Sequence, residues 1–167
     1  MSHVVAGPTP IPCEDLPQLI KAAARCGLTF RQDQTTFKWY GRWVKDYHAD
    51  AAAYKAGVDP GSYGKCEHAF AVKGNDHAYE LGLVRDPNKP GQYLLVYDFW
   101  GSQGAALEAK VGAKAHTLIQ TFNEERVLAK AGVSNHTLAE TVPLANGGLM
   151  LEFDVPEPEQ VLPLGGQ

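Results

Sequence analysis

The chain has 167 residues, of which 15 are Lys or Arg, 19 Asp or Glu, 6 His and 3 Cys, for a formal net charge of -4. No apolar run reaches the ~20 residues of a membrane span, an acidic balance provides no general attraction to nucleic acid, and three Cys are too few for a disulfide framework. The length predicts one domain, and the sparse Cys together with the absence of a signal-peptide pattern in residues 1–10 predict a reducing, cytoplasmic setting.

Residues 1–13 are apolar but interrupted by Pro8, Pro10 and Pro12. Proline donates no ladder hydrogen bond, so an edge strand or an extended arm is expected. A helix follows, with Asp15 as N-cap and Pro17 in the first turn. Its apolar face is Leu16, Leu19, Ile20, Ala23 and Ala24, and Gly27 stops it. Leu28 to Asp33 and Thr36 to Val44 alternate as two strands of a hairpin around Gln34. Residues 35–65, with an Ala-rich run from Asp46 to Tyr54 and the turn chemistry of Asp59-Pro-Gly-Ser-Tyr-Gly, read as a surface insertion. Cys66 to Val72, His77 to Val84 and Gln92 to Trp100 are separated by short polar Gly- or Pro-containing connections, which predicts an antiparallel meander. A helical pattern runs from Ala105 to Ala131 with a bend at Gly112 and a stripe of Ala115, Leu118, Ile119, Phe122 and Ala129. Thr137 to Leu144 and Leu149 to Val155 form a last hairpin around Asn146-Gly147-Gly148. Residues 158–167 are expected to be disordered.

The predicted fold is α+β: one domain over 1–157, an antiparallel sheet with two helices packed on one face. The order helix, glycine, strand occurs at Ile20 to Phe30 and again at Leu128 to Leu138, which predicts two helix–hairpin units in approximate pseudo-symmetry. The expected core is Leu16, Leu19, Ile20, Phe70, Leu81, Leu95, Leu118, Ile119 and Phe122.

The start Met1-Ser2-His3-Val4, the strand Tyr79-Glu80-Leu81-Gly82-Leu83-Val84, the strand end Asp98-Phe99-Trp100 and the closing hairpin around Gly147-Gly148 occur in an order that resembles the domain of unknown function 1257 family. That family includes a hypothetical chloroplast reading frame and bacterial and phage proteins. The resemblance covers the start and residues 66–155, and residues 35–65 depart from it. It implies a compact α+β domain and no particular chemistry.

Cys66 and His68 lie two apart on a predicted strand and so on one face, with His77 across the hairpin. Thiolate and imidazole suit zinc or another borderline metal, although a closed zinc site needs a fourth ligand, and a buried free Cys beside a half-buried His is the commoner arrangement. Glu80 and Asp98 fall on adjacent strands. They form either a carboxylate pair for acid–base work or, more commonly, acceptors for backbone N–H groups at the Gly101 turn. Trp39, Arg42, Trp43 and Tyr47 concentrate aromatic and basic character in the insertion, as at protein interfaces. A nucleic-acid contact is less favoured, because Asp46, Asp50 and Asp59 reduce the local positive charge.

No convergent catalytic set is legible. The expectation is a non-catalytic binding or adaptor module, without a cofactor, acting on another protein or on itself and not on a membrane. The alternatives are a metal- or ligand-binding enzyme on the 66–100 meander and a nucleic-acid accessory protein.

Overall fold

In a computed structural model, residues 4–40 other than Pro8, residues 64–133 and residues 137–155 are described. Most of the 35–65 insertion, including Arg42, Trp43 and Tyr47, and the tail 158–167 lie outside them. The chain forms two compact units, Met1–Glu125 and Arg126–Gln167. The division follows from strand pairing: the last hairpin bonds only to itself and adds no strand to the main sheet.

In the first unit, β1 (Val5–Ala6) and β2 (Ile11–Pro12) precede α1 (Leu16–Arg25), β3 (Leu28–Arg31), β4 (His68–Val72), β5 (Leu81–Arg85) and β6 (Gln92–Tyr97). The sheet is antiparallel throughout, in the order β1-β6-β5-β4-β3, with β2 also bonded to β6. The proline-broken arm is thus an edge, as expected. Two helices follow, α2 (Gly101–Val111) and α3 (His116–Val133). They are the predicted long helix, divided where Gly112 takes φ +77°. The second unit holds β7 (Thr137–Pro143) and β8 (Leu149–Asp154), paired around the expected Asn146-Gly147-Gly148 turn.

Alternation along the strands sorts the core into two layers. One face carries Phe70, Val72, Leu81, Leu83, Tyr93, Leu95 and Tyr97. It packs against Leu19, Ala22 and Ala23 of α1, Leu107 and Val111 of α2, and Leu118 and Phe122 of α3. The helices therefore share one face of the sheet, the α+β arrangement the sequence predicts. Of the expected core, Leu16, Ile20 and Ile119 sit half-buried at its margin and the rest are buried. The opposite face carries a smaller cluster of Val4, Ala69, Leu94 and Val96 together with Phe37.

Phe37 explains where the structure departs from the predicted hairpin. Among the described residues, Thr36 to Tyr40 does not pair with β3, and the rest of the predicted strand, to Val44, lies outside them. Thr36 makes one isolated bridge with Lys65, and β3 pairs with β4, Phe30 opposite Phe70. The helix-then-antiparallel-pair order does recur, as α1 with β3–β4 and α3 with β7–β8, but the first pair closes across residues 32–67 and not across a tight turn. Residues 37–39 cross the helix-free face, and Phe37 covers Gly82, where an added Cβ would stand 2.5 Å from the ring. Gly82→Val is expected to displace Phe37 and cost about 1–3 kcal/mol in a urea titration. An unchanged midpoint would mean that the ring does not lie there.

Candidate functional site

Two buried carboxylates hold the crossing segment. Glu80 and Asp98 are 5% and 1% exposed and flank the ends of β5 and β6 beyond the Gly82–Val96 pair. Glu80 Oε2 accepts hydrogen bonds from the Lys38 backbone N–H and from Gln34 Nε2, both at 2.9 Å. The Glu80 N–H donates to the Lys38 carbonyl at 3.0 Å. Asp98 Oδ1 accepts from the Trp100 N–H at 2.9 Å, just before α2, and its Oδ2 accepts from the Tyr40 N–H at 3.4 Å. Of the two roles open to this pair in the sequence, each carboxylate takes the acceptor role, with both reaching the same segment. Tyr40 also lies against Trp100, ring centroids 4.1 Å apart.

Between the crossing segment and the sheet lies a cleft of about 510 Å³. Its polar lining includes Arg31, Gln34, Lys38, Asn75, Asp76 and Glu80, and its apolar lining includes Phe37, Trp39 and Ala71. Lys38 Nζ is occupied, donating to the Asp76 carbonyl at 2.8 Å. Of the aromatic and basic residues expected to form an interaction surface, Trp39 is half-buried against the smaller core cluster and lines this cleft.

Cys66, His68 and His77 are not brought together. The chain bends at Glu67, just before β4, and this places Cys66 with the cluster on the helix-free face. His68 lies on the other face, 5.3 Å from the Phe30 ring and 6.0 Å from the Tyr93 ring. The shared face predicted for the two residues requires regular strand at both, and β4 begins only at His68. His68 Nδ1 accepts the Asp33 N–H at 3.0 Å, which puts the proton of the neutral ring on Nε2. The Cys66 thiol donates to the Gln34 carbonyl at 2.9 Å. Burial, reinforced by the charge of Glu80, pushes the thiol up to about 12, the opposite of what a nucleophile needs. His77 is exposed in the turn before β5, its N–H donating to Asn75 Oδ1 at 3.1 Å. Among the described residues no three His, Cys, Asp or Glu side chains converge as a metal site, and no helix is long and apolar enough to cross a membrane.

One polar network was not foreseen. Arg85 Nε and Nη2 donate to the two oxygens of Glu67 at 2.6 and 2.7 Å, and Tyr93 OH donates to Glu67 Oε1 at 2.7 Å. The guanidinium lies 4.4 Å above the Tyr93 ring and donates to Cys13 Sγ at 2.8 Å. Arg85 holds the Glu67 carboxyl below the usual range, while burial pushes Tyr93 up to about 12. Cys13 and Arg85 are 72 positions apart, so only the pairing of β2 and β5 to the same strand, β6, brings them together.

Burial also pushes Tyr97 up to about 12, with the charge of Glu108 adding to it. These shifts predict alkaline sensitivity. The unfolded chain gives up its Cys proton near pH 8.5 and its Tyr protons near 10, whereas Cys66, Tyr93 and Tyr97 keep theirs to about 12 in the fold. The folded state then holds more protons, so stability is full below about pH 8.5 and falls from there toward pH 12. Urea midpoints measured from pH 7 to 11 should fall accordingly, and Cys66→Ala should flatten the first part of the fall. A level profile would mean that these groups are solvated.

No protein-family model, curated protein or solved structure matches the chain.

Proposed function

We propose that the chain is a non-catalytic binding module whose site is the cleft between the helix-free face of the sheet and residues 34–39. The observation that carries the reading is how the reactive groups are used. Glu80 and Asp98 accept backbone N–H groups of the crossing segment, and the Cys66 thiol is held protonated against the Gln34 carbonyl. These groups fix the crossing segment, whose Gln34, Thr36, Phe37, Lys38 and Trp39 line the cleft together with Glu80. A volume of about 510 Å³ falls in the roughly 300–1,000 Å³ range of small-molecule pockets. The three cysteines, free in the fold, support a reducing compartment, the cytosol.

The test is an amide-resolved NMR titration of the full chain with a mixed library of small metabolites and short peptides. The expected result is that some members move the amides of Gln34 to Trp39 and Asn75 to Glu80, while their own spectra stay unchanged over hours. Conversion of a bound compound would point to an enzyme, and the absence of any perturbation would remove the cleft as the site.

A further inference from the structure

Four charged side chains line the cleft, Arg31, Lys38, Asp76 and Glu80, and none of them is in an ion pair among the described residues; Glu80 is the buried one. Glu80 is 95% buried, its hydrogen bonds come from neutral donors, Gln34 Nε2 and the Lys38 N–H, and no cation pairs with it among the described residues. Arg31 lines the same cleft, is exposed, and its guanidinium has no hydrogen bond or ion pair among the described residues. The two do not pair with each other. Lys38 cannot neutralise Glu80, because its ammonium is turned to the Asp76 carbonyl.

A buried carboxylate without a cation carries a desolvation cost that neutral hydrogen bonds offset only in part. A protonated amine entering the cleft beside Glu80 would supply the missing charge in a place where water competes poorly. An unpaired guanidinium on the same lining presents the fork that matches a carboxylate. The apolar wall of Phe37, Ala71 and Ala78 offers contact for a short hydrocarbon stem.

We propose that the cleft is a site for a small ammonium–carboxylate zwitterion, a free amino acid, with its amine on Glu80 and its carboxylate on Arg31. The proposal rests on reading the cleft as a binding site, and it adds the class of ligand.

The probes are the standard amino acids, added one at a time to the full chain at about 10 mM, far above the Kd of an adequate site. The tightest binder is then compared with its amine-only and carboxylate-only analogues. The expected result is movement of the amides of Gln34 to Lys38 and Asn75 to Glu80, with at least about tenfold weaker binding of each analogue. Glu80→Gln should abolish the preference for the amine. Arg31→Ala, at an exposed position, should weaken the amino acid and leave the amine-only analogue unchanged.

If library compounds move the cleft amides and no amino acid does, the ligand class is wrong while the binding reading stands. Analogues that bind as well as the amino acid also overturn the proposal. If nothing moves those amides, the binding reading fails and the proposal fails with it. Should Glu80→Gln not fold, the analogue pair and Arg31→Ala still decide.

Discussion

Gly104→Ala is expected to destabilise the protein by about 3 kcal/mol, at the upper end of what overpacking costs. Gly104 lies in the first turns of α2, where a Cβ would stand 2.3 Å from the carbonyl carbon of Phe99 and 2.7 Å from its Cα and oxygen. Those are backbone atoms, and no change of rotamer moves them. The helix would have to lift, and it is tied at that point: the Gln103 carbonyl accepts the Tyr79 N–H, Asp98 holds the Trp100 N–H, and Phe99 stacks on Tyr97 with centroids 4.4 Å apart. Gly132→Ala, where nothing lies within 4 Å, is the matched control. It should gain about 0.5–1 kcal/mol from lower chain entropy in the unfolded state. Equal effects of the two substitutions in urea would mean that α2 is not seated against Phe99.

Phe122→Ala should cost about 3–5 kcal/mol. The ring is 1% exposed and belongs to the core cluster beneath the sheet, together with Leu118 one turn earlier and Leu107 and Val111 of α2. Close packing leaves its neighbours little freedom to fill the space. Phe122→Leu, which keeps most of the volume, should cost less than half as much. A loss below about 1 kcal/mol in a denaturant titration would mean that α3 turns another face to the sheet.

Patterns of short range carry most of the fold into view. The period-2 runs around Phe70, Leu81 and Leu95 and the Asn146-Gly147-Gly148 turn identify strands and their neighbours, because adjacent strands joined by short turns have few other ways to pair. Thr36 to Val44 has the same alternation, yet Phe37 is buried by a crossing over Gly82 and not by a ladder. Alternation reports that every second side chain is buried and is silent about what buries it. Glu80 and Asp98 were legible as a carboxylate pair because both interrupt apolar strand ends. The donors they serve, at Lys38 and Tyr40, were not, since those bonds span 42 and 58 positions. The single bend at Glu67 was enough to separate Cys66 from His68. Arg31 reads in the sequence as an ordinary strand-end cation, and only the cavity beside it gives it meaning.

The pairing of β1 and β2 with β6 has a consequence for how the chain is assembled during synthesis. Val5 lies opposite Tyr97 and Ile11 opposite Tyr93, so the arm leaves the ribosome long before the strand it joins. The β4–β5–β6 meander has only local connections, whereas the arm must wait and then close a loop of roughly ninety residues. Such closure grows only logarithmically costly with length, but contacts so distant in sequence form late and slow the search. In the interval the edge of β6 is bare, with Leu94 and Val96 on the face that Val4 will cover, and the nascent chain is then at its most vulnerable to pairing with a neighbour. Pro8, Pro10 and Pro12 keep the waiting arm from serving as a template itself, since each removes a ladder donor.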